Sequence, residues 1–517
     1  MRFCRKVKSG DAEPGTRAGL KAVPAEAWIM LLAVAARLPR LFSRPLWYDE
    51  AFAVLFSEKG PSAMLYGTLT EQGGVAADVH PLGYYTLLWA WENAFGTSPA
   101  SVRSLSLLLG LLSLYLAFLL VEELFDRATA RRALFALALA PFPIHYAQEV
   151  RMYALLAAAV IAATLLLVKA FHEPGRWMYW IGFALCAAAA QYTHNLAFLY
   201  LVPLSITALF MRDRRIVLRT IAAGIGALLL YAPWLLHVPG QLARLQWAYW
   251  IERPGWEELL QALLHFTSAL PAPDWALPPL LFFSLSLLLV SAVETVRAAR
   301  RGEKKIRQAL FVLFLALSPL AGMMLISQWQ PVFLLRALLP AAMLFTVWLV
   351  WSLWQESLPG LVRGAALAML GLSYALGMYG WIAYNGFPYA PFDDINAYLQ
   401  EHSREGDVIV HSNKLTAFPC LYDDASLDHR YLADPPGSAS DTLAPATQEV
   451  LEQLAMEDLS DILETDGDVW LVMFEQEEEE YHTAGFPGHP ARQTLAERFS
   501  LSEYIDFDAV TVFHYTR

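Results

Sequence analysis

Two adjacent carboxylates, Asp49 and Glu50, follow the first long apolar run, in the stretch RPLWYDEAFAV at 44–54. Apolar and aromatic residues flank the pair closely, so both acids are expected in a partly buried wall rather than a polar loop. Acids buried at a membrane edge are costly to keep and tend to mark functional sites. A carboxylate within hydrogen-bond reach of a hydroxyl can take its proton as a new bond forms. The plainer alternative is a surface pair that only caps a helix.

Other unusual polar groups recur in three later segments. ADVHPLGYY at 77–85 contains Asp78 and His80, and HYAQEVRMYAL at 145–155 contains Glu149 and Arg151. Arg336 lies in QWQPVFLLRALLP at 328–340. If these segments lie on one side of a membrane, the side chains would gather at one face with the acidic pair.

Composition indicates the elements that position these groups. The chain has 517 residues, of which 56% are hydrophobic and only 17% charged. Apolar runs long enough to cross a hydrocarbon layer of ~30 Å recur down to residue 384, which predicts a polytopic membrane protein. The basic head at 1–25 shows no evident cleavable signal, so the first run is expected to be a retained helix. The predicted spans are 26–43, 104–122, 132–147, 152–171, 177–193, 195–211, 216–237, 276–296, 308–327, 333–354 and 361–384.

The segment PLGYYTLLWAWENAF at 81–95 is apolar but short, and it fits either a span or a helix lying in the interface. The positive-inside rule chooses between the two. If 81–95 does not cross and the N-terminus is cytoplasmic, the basic clusters at 127–132, 212–219 and 297–307 all face the cytoplasm. We therefore predict a juxtamembrane helix. The extracytoplasmic side then holds 44–103, the corners at 146–151 and 328–336, the loop at 238–275 and everything after 384.

From residue 385 the pattern changes. DVIVHS, DVWLVMF and FDAVTVFHY are typical of strands, and TQEVLEQLAMEDLSDILE is typical of a helix. This predicts a soluble extracytoplasmic α/β domain at 385–517. The expected fold class is mainly α, with a transmembrane helical bundle at 26–384 that carries the site and a small α/β domain behind it.

The order of these motifs resembles one enzyme family. An acidic DE after the first run, then HP-x-x-YY before an aromatic juxtamembrane segment, then a QE-x-RMY corner is similar to the pattern of multi-span glycosyltransferases with the GT-C fold. The group in question is similar to glycosyltransferase family 39 and includes protein O-mannosyltransferases and the lipid A aminoarabinose transferase. QPVFLLRALLPA also resembles a late segment of that family with an arginine at its outer end. The likeness spans about 26–384 in architecture, with the specific motifs before residue 155.

The resemblance implies an inverting transferase whose donor is a sugar on a polyprenyl phosphate, with the lipid phosphate as leaving group. Asp49 matches the first acid of the family's pair and is implied to be the general base. Glu50 is implied either to orient the acceptor or to hold Asp49 in place. An acceptor hydroxyl is a poor nucleophile, so such a base is needed as bonding develops.

The resemblance also implies cations for the departing phosphate. Arg151 and Arg336 are the first candidates, because arginine forks suit phosphate oxygens and fixed cations stabilise developing charge. Arg37 and Arg40, near the outer end of the first predicted span, are further candidates. Their alternative role is to snorkel to the lipid headgroups.

The remaining candidates would line a substrate pocket. They are Asp78, His80, Tyr84, Tyr85, Glu149, Tyr153 and His194. The tyrosines would contact the sugar or the prenyl chain, although interfacial tyrosines are common without such a task. Glu149 either pairs with Arg151 on one helix turn or belongs to the donor site.

A metal is a further hypothesis. The family usually has HPPLYY or a KPP-like stretch where this chain has HPLGYY, so the local backbone is expected to differ. His80 with Asp78 is a candidate for binding a divalent metal, which would help to hold an anionic donor. Two residues fall short of the three or more protein ligands that metal sites usually have. No other cofactor is predicted.

Two other functions stay open. A transporter or flippase of lipid-linked or small substrates would account for the spans, but it needs polar groups near the midplane of several helices. A scaffold that displays the C-terminal domain would leave Asp49, His80 and Arg151 without a role. Among enzymes, a lipid-linked-oligosaccharide ligase or polymerase is the nearest rival.

The expected partners are a polyprenyl-phosphate sugar, membrane lipids and an acceptor hydroxyl on a protein, lipid or glycan, with no nucleic acid. No eukaryotic targeting or retention signal is evident, which favours a bacterial or archaeal plasma membrane. The predicted orientation has a cytoplasmic N-terminus and an extracytoplasmic C-terminal domain. The sequence leaves the sugar open.

Overall fold

The computed structural model describes residues 23–70, 80–245, 251, 253–268, 271–434, 442–483 and 485–517. Helices make up most of this part of the chain, and its five-stranded sheet lies near the C-terminal end. The predicted fold class, a mainly α membrane bundle with a small C-terminal α/β domain, is confirmed.

Seventeen α-helices precede residue 385 in the described residues. They are α1 (Ala25–Ala35), α2 (Tyr48–Glu58), α3 (Pro61–Leu69), α4 (Gly83–Phe95), α5 (Pro99–Leu124), α6 (Arg127–Leu139), α7 (Pro141–His145), α8 (Tyr153–His172), α9 (Trp177–Thr193), α10 (Phe198–Ile206), α11 (Arg214–Leu235), α12 (Val238–Leu245), α13 (Trp256–Thr267), α14 (Leu277–Arg301), α15 (Ile306–Ile326), α16 (Leu339–Leu353) and α17 (Gly360–Ala383). Four 3₁₀ segments adjoin them, at Asn195–Ala197, Thr207–Met211, Asp274–Ala276 and Leu335–Leu338.

Seven of these helices are long and apolar enough to cross a membrane. They are α5, α8, α11, α14, α15, α16 and α17, with α14 and α16 counted together with their preceding 3₁₀ segments. The other four predicted spans coincide with shorter helices, namely α1, α6, α9 and the α10 region. The first run stops being helical at Ala35, because Pro39 and the left-handed Arg40 (φ 63°) follow. The protein is a multi-pass membrane protein.

The predicted juxtamembrane segment forms α4, a helix of 13 residues. At 1.5 Å per residue it reaches only ~20 Å, too short for a hydrocarbon core of ~30 Å. It packs against α2, α5 and α9. The Cα of Gly83 lies so close to the backbone of α9 that a β-carbon would fall 2.4 Å from the carbonyl oxygen of Tyr192. Glycine therefore fits at the position where this chain departs from HPPLYY.

Two helices occupy the centre of the bundle. In α8 and in the α16 span, 78% and 89% of the most apolar stretch is buried, against 22% in α11 and 28% in α14 and α17. The peripheral helices instead expose large apolar side chains such as Leu229 and Leu289. Both central helices begin beside candidate site residues, Tyr153 and Arg336, so rigid elements carry the site.

Basic residues meet at one end of the bundle. Glu26 pairs with Arg127 and Arg131, and Asp126 pairs with Lys305. These pairs bring the start of α1 together with the α5–α6 and α14–α15 connections. The opposite end carries the start of α2 and the C-terminal domain.

The C-terminal domain contains the remaining elements. They are α18 (Phe392–His402), β1 (Val408–His411), α19 (Lys414–Asp423), β2 (His429–Tyr431), α20 (Pro445–Leu451), α21 (Ser460–Leu463), β3 (Val469–Phe474), α22 (Glu475–Thr483), α23 (Pro490–Leu495), β4 (Ser500–Phe507) and β5 (Val510–Thr516). The sheet order is β2-β1-β3-β5-β4, with β1 parallel to β2 and β3, and β5 antiparallel to β3 and β4.

The three predicted strands correspond to β1, β3 and β5, whose burial is nearly complete. β2 and β4 carry weaker signals, because β2 has three residues and β4 is mostly exposed. The predicted helix at 447–464 is divided into α20 and α21, since Glu452 adopts φ 59° and ends the first.

The domain docks on the bundle through α2 and α3. Helix α19 packs on α2, with the rings of Phe418 and Tyr48 5.9 Å apart, and α20 packs on α3. The Thr447 hydroxyl donates to the carbonyl of Gly67 at 2.9 Å. The start of α2, which carries the acidic pair, is therefore held against the domain by α19.

This arrangement predicts that the end of the bundle with the C-terminal domain is accessible from outside the cell, and that the end with the basic residues is accessible from the cytoplasm. In a cysteine-free background, a membrane-impermeant maleimide should label Asp466→Cys in intact cells. It should label Lys304→Cys only after permeabilisation, since both positions are exposed but lie at opposite ends. The reverse pattern would invert the predicted topology.

Candidate active site

The candidate site lies where three segments meet at the end of the bundle that carries the C-terminal domain. Helix α2 begins here after the extended residue Trp47, and its first turn holds Asp49 and Glu50. The partial positive charge of a helix N-terminus stabilises carboxylates at such positions. The 146–152 corner leads into α8, and the 3₁₀ turn Leu335–Leu338 leads into α16. The sequence separates these segments by up to 287 positions.

Asp49 lies between two arginines. Nη1 of Arg336 is 2.5 Å from Oδ2 of Asp49, and Nε of Arg151 is 3.7 Å from the same oxygen. Nη1 of Arg151 also donates to the Asp49 carbonyl at 3.3 Å. Burial acts to raise the pKa of Asp49, but the charges of Arg151 and Arg336 outweigh it, so the pKa lies below its ordinary value. The carboxylate is therefore ionised and shared by two guanidinium groups.

Both arginines are fixed by aromatic neighbours. The guanidinium of Arg336 lies 5.6 Å from the ring centre of Tyr153 and 5.9 Å from that of Trp47, within the cation–π range. Nη1 of Arg151 is 3.4 Å from the hydroxyl of Tyr85. Nε of Arg336 is buried and donates to no group in the described part of the chain. The site therefore keeps a fixed cation with a donor to spare.

Glu50 is occupied differently from its neighbour. Nε and Nη2 of Arg103 donate to its two oxygens at 2.9 and 2.7 Å, and the amide of Val150 adds a bond of 3.0 Å. Arg103 also donates to three carbonyls in 41–45. Glu50 and Arg103 are only 1% and 2% exposed. Of the two roles predicted for Glu50, this geometry favours holding Asp49 in place.

Arg103 belongs to no motif, and motif-based reasoning misses it. It lies in the first turns of α5, a helix of 26 residues that is otherwise strongly apolar. A lone arginine at that depth needs a buried anion as partner. This requirement is the signal that would have linked it to Glu50.

Glu149 forms a second polar cluster behind the first. Its Oε1 lies 2.8 Å from Nε2 of His145 and accepts from the Tyr389 hydroxyl at 3.1 Å. Its Oε2 is buried and has no hydrogen-bond partner among the described residues. The ring of His145 stacks on Trp381 at 3.7 Å. His145 and Tyr389 were not predicted, although HYAQE places a histidine and a glutamate four residues apart.

The structure brings three other candidates together. The rings of His80 and His194 are 5.4 Å apart, and the ring of Tyr153 is 6.1 Å from that of His194. His80 is also close enough to Asp49 to contribute to the lowered pKa of that carboxyl. The hydroxyl of Tyr84 instead contacts Ser106, 3.2 Å away inside the bundle.

Arg37 and Arg40 make their contacts elsewhere. The buried Arg37 donates through Nη1 to the carbonyls of Ala33 and Ala138, both at 3.0 Å, and so joins α1 to α6. Arg40 donates to Oδ1 of Asn385 at 2.9 Å. None of these contacts reaches Asp49.

The metal hypothesis stays a prediction. Asp78 lies outside the described residues. Within the described residues, no group of three or more His, Cys, Asp or Glu side chains is placed to hold a metal ion. His80 is described, and its ring neighbour is His194.

The arrangement has a definite chemical capacity. An ionised carboxylate can accept a proton, and two fixed cations beside it can stabilise a leaving group that gains negative charge. Aromatic and histidine rings lie next to both the carboxylate and the cations.

Residues 79–237 match the family model described as dolichyl-phosphate-mannose-protein mannosyltransferase. The match includes His80, Tyr85, Arg151 and Tyr153, but not Asp49. No curated protein matches the sequence.

Several solved structures are similar in fold. ArnT from Cupriavidus metallidurans in the apo state has a TM-score of 0.62 at 14% identity, covering 95% of this chain and 98% of that one. The Archaeoglobus fulgidus oligosaccharyltransferase, in complex with Zn and sulfate, has a TM-score of 0.50 at 13% identity, covering 94% and 73%. The mycobacterial arabinofuranosyltransferase AftD has a TM-score of 0.51 at 14% identity, covering 95% and 41%.

All three are glycosyltransferases of the GT-C fold. This chain therefore has the GT-C fold, and the resemblance drawn from its motifs is confirmed.

The buried pair predicts a stability effect. Glu50→Gln or Arg103→Ala would leave an uncompensated buried charge, and the free energy of unfolding should fall by about 3–5 kcal/mol. Thermal unfolding in detergent should show the loss as a large drop in Tm. Asp49→Asn should lower the Tm less, because the Asp49 side chain is 15% exposed and the asparagine oxygen can still accept from Arg336. A wild-type Tm for Glu50→Gln would contradict the structural role of this pair.

Proposed function

We propose that this GT-C protein is an inverting glycosyltransferase that moves a sugar from a polyprenyl-phosphate donor to an acceptor hydroxyl. Transfer would occur at the membrane face that carries the C-terminal domain, the predicted extracytoplasmic side. The observation that carries the proposal is the Asp49 carboxylate shared by Arg151 and Arg336 at the ends of two central helices.

The proposed reaction is a single displacement. The acceptor oxygen attacks the anomeric carbon while Asp49 takes its proton, and the bond from that carbon to the phosphate oxygen breaks on the opposite face. The electron pair leaves with the lipid phosphate. Attack from the face opposite the leaving group inverts the anomeric centre, and a positioned base contributes about two to four orders of magnitude in rate.

The donor phosphate is assigned to Arg151 and Arg336. Guanidinium forks match phosphate oxygens, and preorganised cations stabilise the charge that develops on departure. A structure of C. metallidurans ArnT bound to undecaprenyl phosphate, with a TM-score of 0.56 to this chain, supports a polyprenyl phosphate as the carrier. Arg37 and Arg40 are left out, because their contacts lie within the bundle or with Asn385.

The other side chains take supporting roles. His80, Tyr153 and His194 lie together next to Arg336 and are assigned to the sugar pocket, and Tyr85 positions Arg151. Glu50 is a positioning residue.

The test is transfer of radiolabel from a panel of polyprenyl-phosphate sugars, including hexoses, pentoses and aminosugars, to membrane extracts. Purified wild type should transfer at least one sugar. Asp49→Asn, shown to be folded by its unfolding curve, should lose about two to four orders of magnitude of rate. Glu452→Gln, which removes an exposed acid on the same face, is the matched control and should keep full activity.

Two results would count against the proposal. Equal transfer by wild type and Asp49→Asn would reject Asp49 as the base while keeping the enzyme. No transfer from any donor by any variant would reject the glycosyltransferase function.

A further inference from the structure

Asp49 lies against two cations in the described part of the chain. Glu50 is neutralised by Arg103, which leaves Asp49 against the two cations Arg151 and Arg336. A sugar phosphodiester carries one negative charge, so a donor bound here would add a second anion beside these two cations.

Arg336 is built to contact two anions at once. Its Nη1 holds Oδ2 of Asp49 at 2.5 Å, while its buried Nε donates to no described group. The rings of Tyr153 and Trp47 fix the plane of the guanidinium. A planar fork with one donor occupied and a second one spare can hold a carboxylate and a phosphate side by side.

We propose that Asp49 and the donor phosphate share Arg336 as a common counter-ion, and that proton transfer to Asp49 releases the arginine to the leaving phosphate. The inference rests on the proposed function and links its two parts, the general base and the cations that hold the phosphate. Activation of the nucleophile and stabilisation of the leaving group would then occur in one movement of charge.

The step balances in atoms and charge. Before reaction, the Asp49 carboxylate and the phosphodiester carry one negative charge each. The acceptor O–H bond breaks and its proton goes to Asp49, the new C–O bond forms, and the old C–O bond leaves its electron pair on the phosphate. Afterwards Asp49 is neutral and the lipid phosphate carries two negative charges. The two arginines face the same total charge throughout, so no net charge enters a site of low dielectric constant.

Sharing has a consequence for the resting enzyme. Before donor binds, Asp49 occupies the cation that the phosphate needs, so the base weakens donor binding. Removing its charge should therefore tighten binding of a lipid phosphate while it abolishes transfer. Removing a residue that served only as a base would abolish transfer without tightening the binding of the lipid phosphate.

The experiment is equilibrium binding of geranylgeranyl phosphate to purified protein in detergent, measured by calorimetry. Asp49→Asn should bind at least about tenfold more tightly than wild type, as expected for removing a competing charge a few ångströms away. Glu452→Gln, the exposed acid of the same face, should bind as wild type does. Unfolding curves would confirm that all variants are folded.

A double-mutant cycle separates sharing from simple repulsion. In an Arg336→Gln background, binding should be weaker, and the gain from Asp49→Asn should shrink to about twofold or less. An undiminished gain would mean that Asp49 only repels the phosphate, and would overturn the sharing of Arg336.

The remaining outcomes also decide. If wild type binds the lipid phosphate and Asp49→Asn binds no more tightly, the shared counter-ion is rejected while the proposed function stands. If neither protein binds it at any concentration, both are rejected.

Discussion

The buried ion pair between Glu50 and Arg103 is the contact on which the candidate site depends. It joins the first turn of α2 to the start of α5, and through the Val150 amide it reaches the corner that carries Arg151. Burying such a pair carries a large desolvation cost, so it adds little net stability over an apolar pair. Removing only one partner, however, strongly destabilises the fold, because the other charge stays buried and unpaired. The effect of the pair here is geometric, because it fixes the first turn of α2, which also carries Asp49.

That geometry divides two adjacent acids into two functions. Glu50 points into the protein, where both of its oxygens accept hydrogen bonds from Arg103. Asp49 points toward Arg151 and Arg336. Successive residues of a helix point about 100° apart, so a DE pair at a helix start must face two environments. One acid can then anchor the turn while the other keeps an ionised carboxylate next to fixed cations.

The C-terminal domain contributes to the same end of the bundle. Its helices α19 and α20 pack on α2 and α3, and Tyr389, in the connection that leads into the domain, donates to Glu149 behind the site. Arg44 stacks between Trp381 and Tyr389, with its guanidinium 4.0 and 4.4 Å from the two ring centres. The domain and the bundle are therefore joined around the acidic pair.

The sequence alone determined the class of the protein. Apolar runs of span length, the strand patterns after residue 385 and the order of the DE, HP and RMY motifs are local signals, and the mainly α GT-C fold followed from them. The sequence also identified Asp49 as a candidate site residue, because an acid among apolar and aromatic residues is unusual in any fold. The partners of that acid did not follow from the sequence. Arg336 is 287 positions away, and Arg103, His145 and Tyr389 lie in no shared motif. Only tertiary packing decided that Glu50 is sealed while Asp49 is shared by two arginines, since burial and ion pairing depend on which helix ends meet, and no local pattern encodes that meeting.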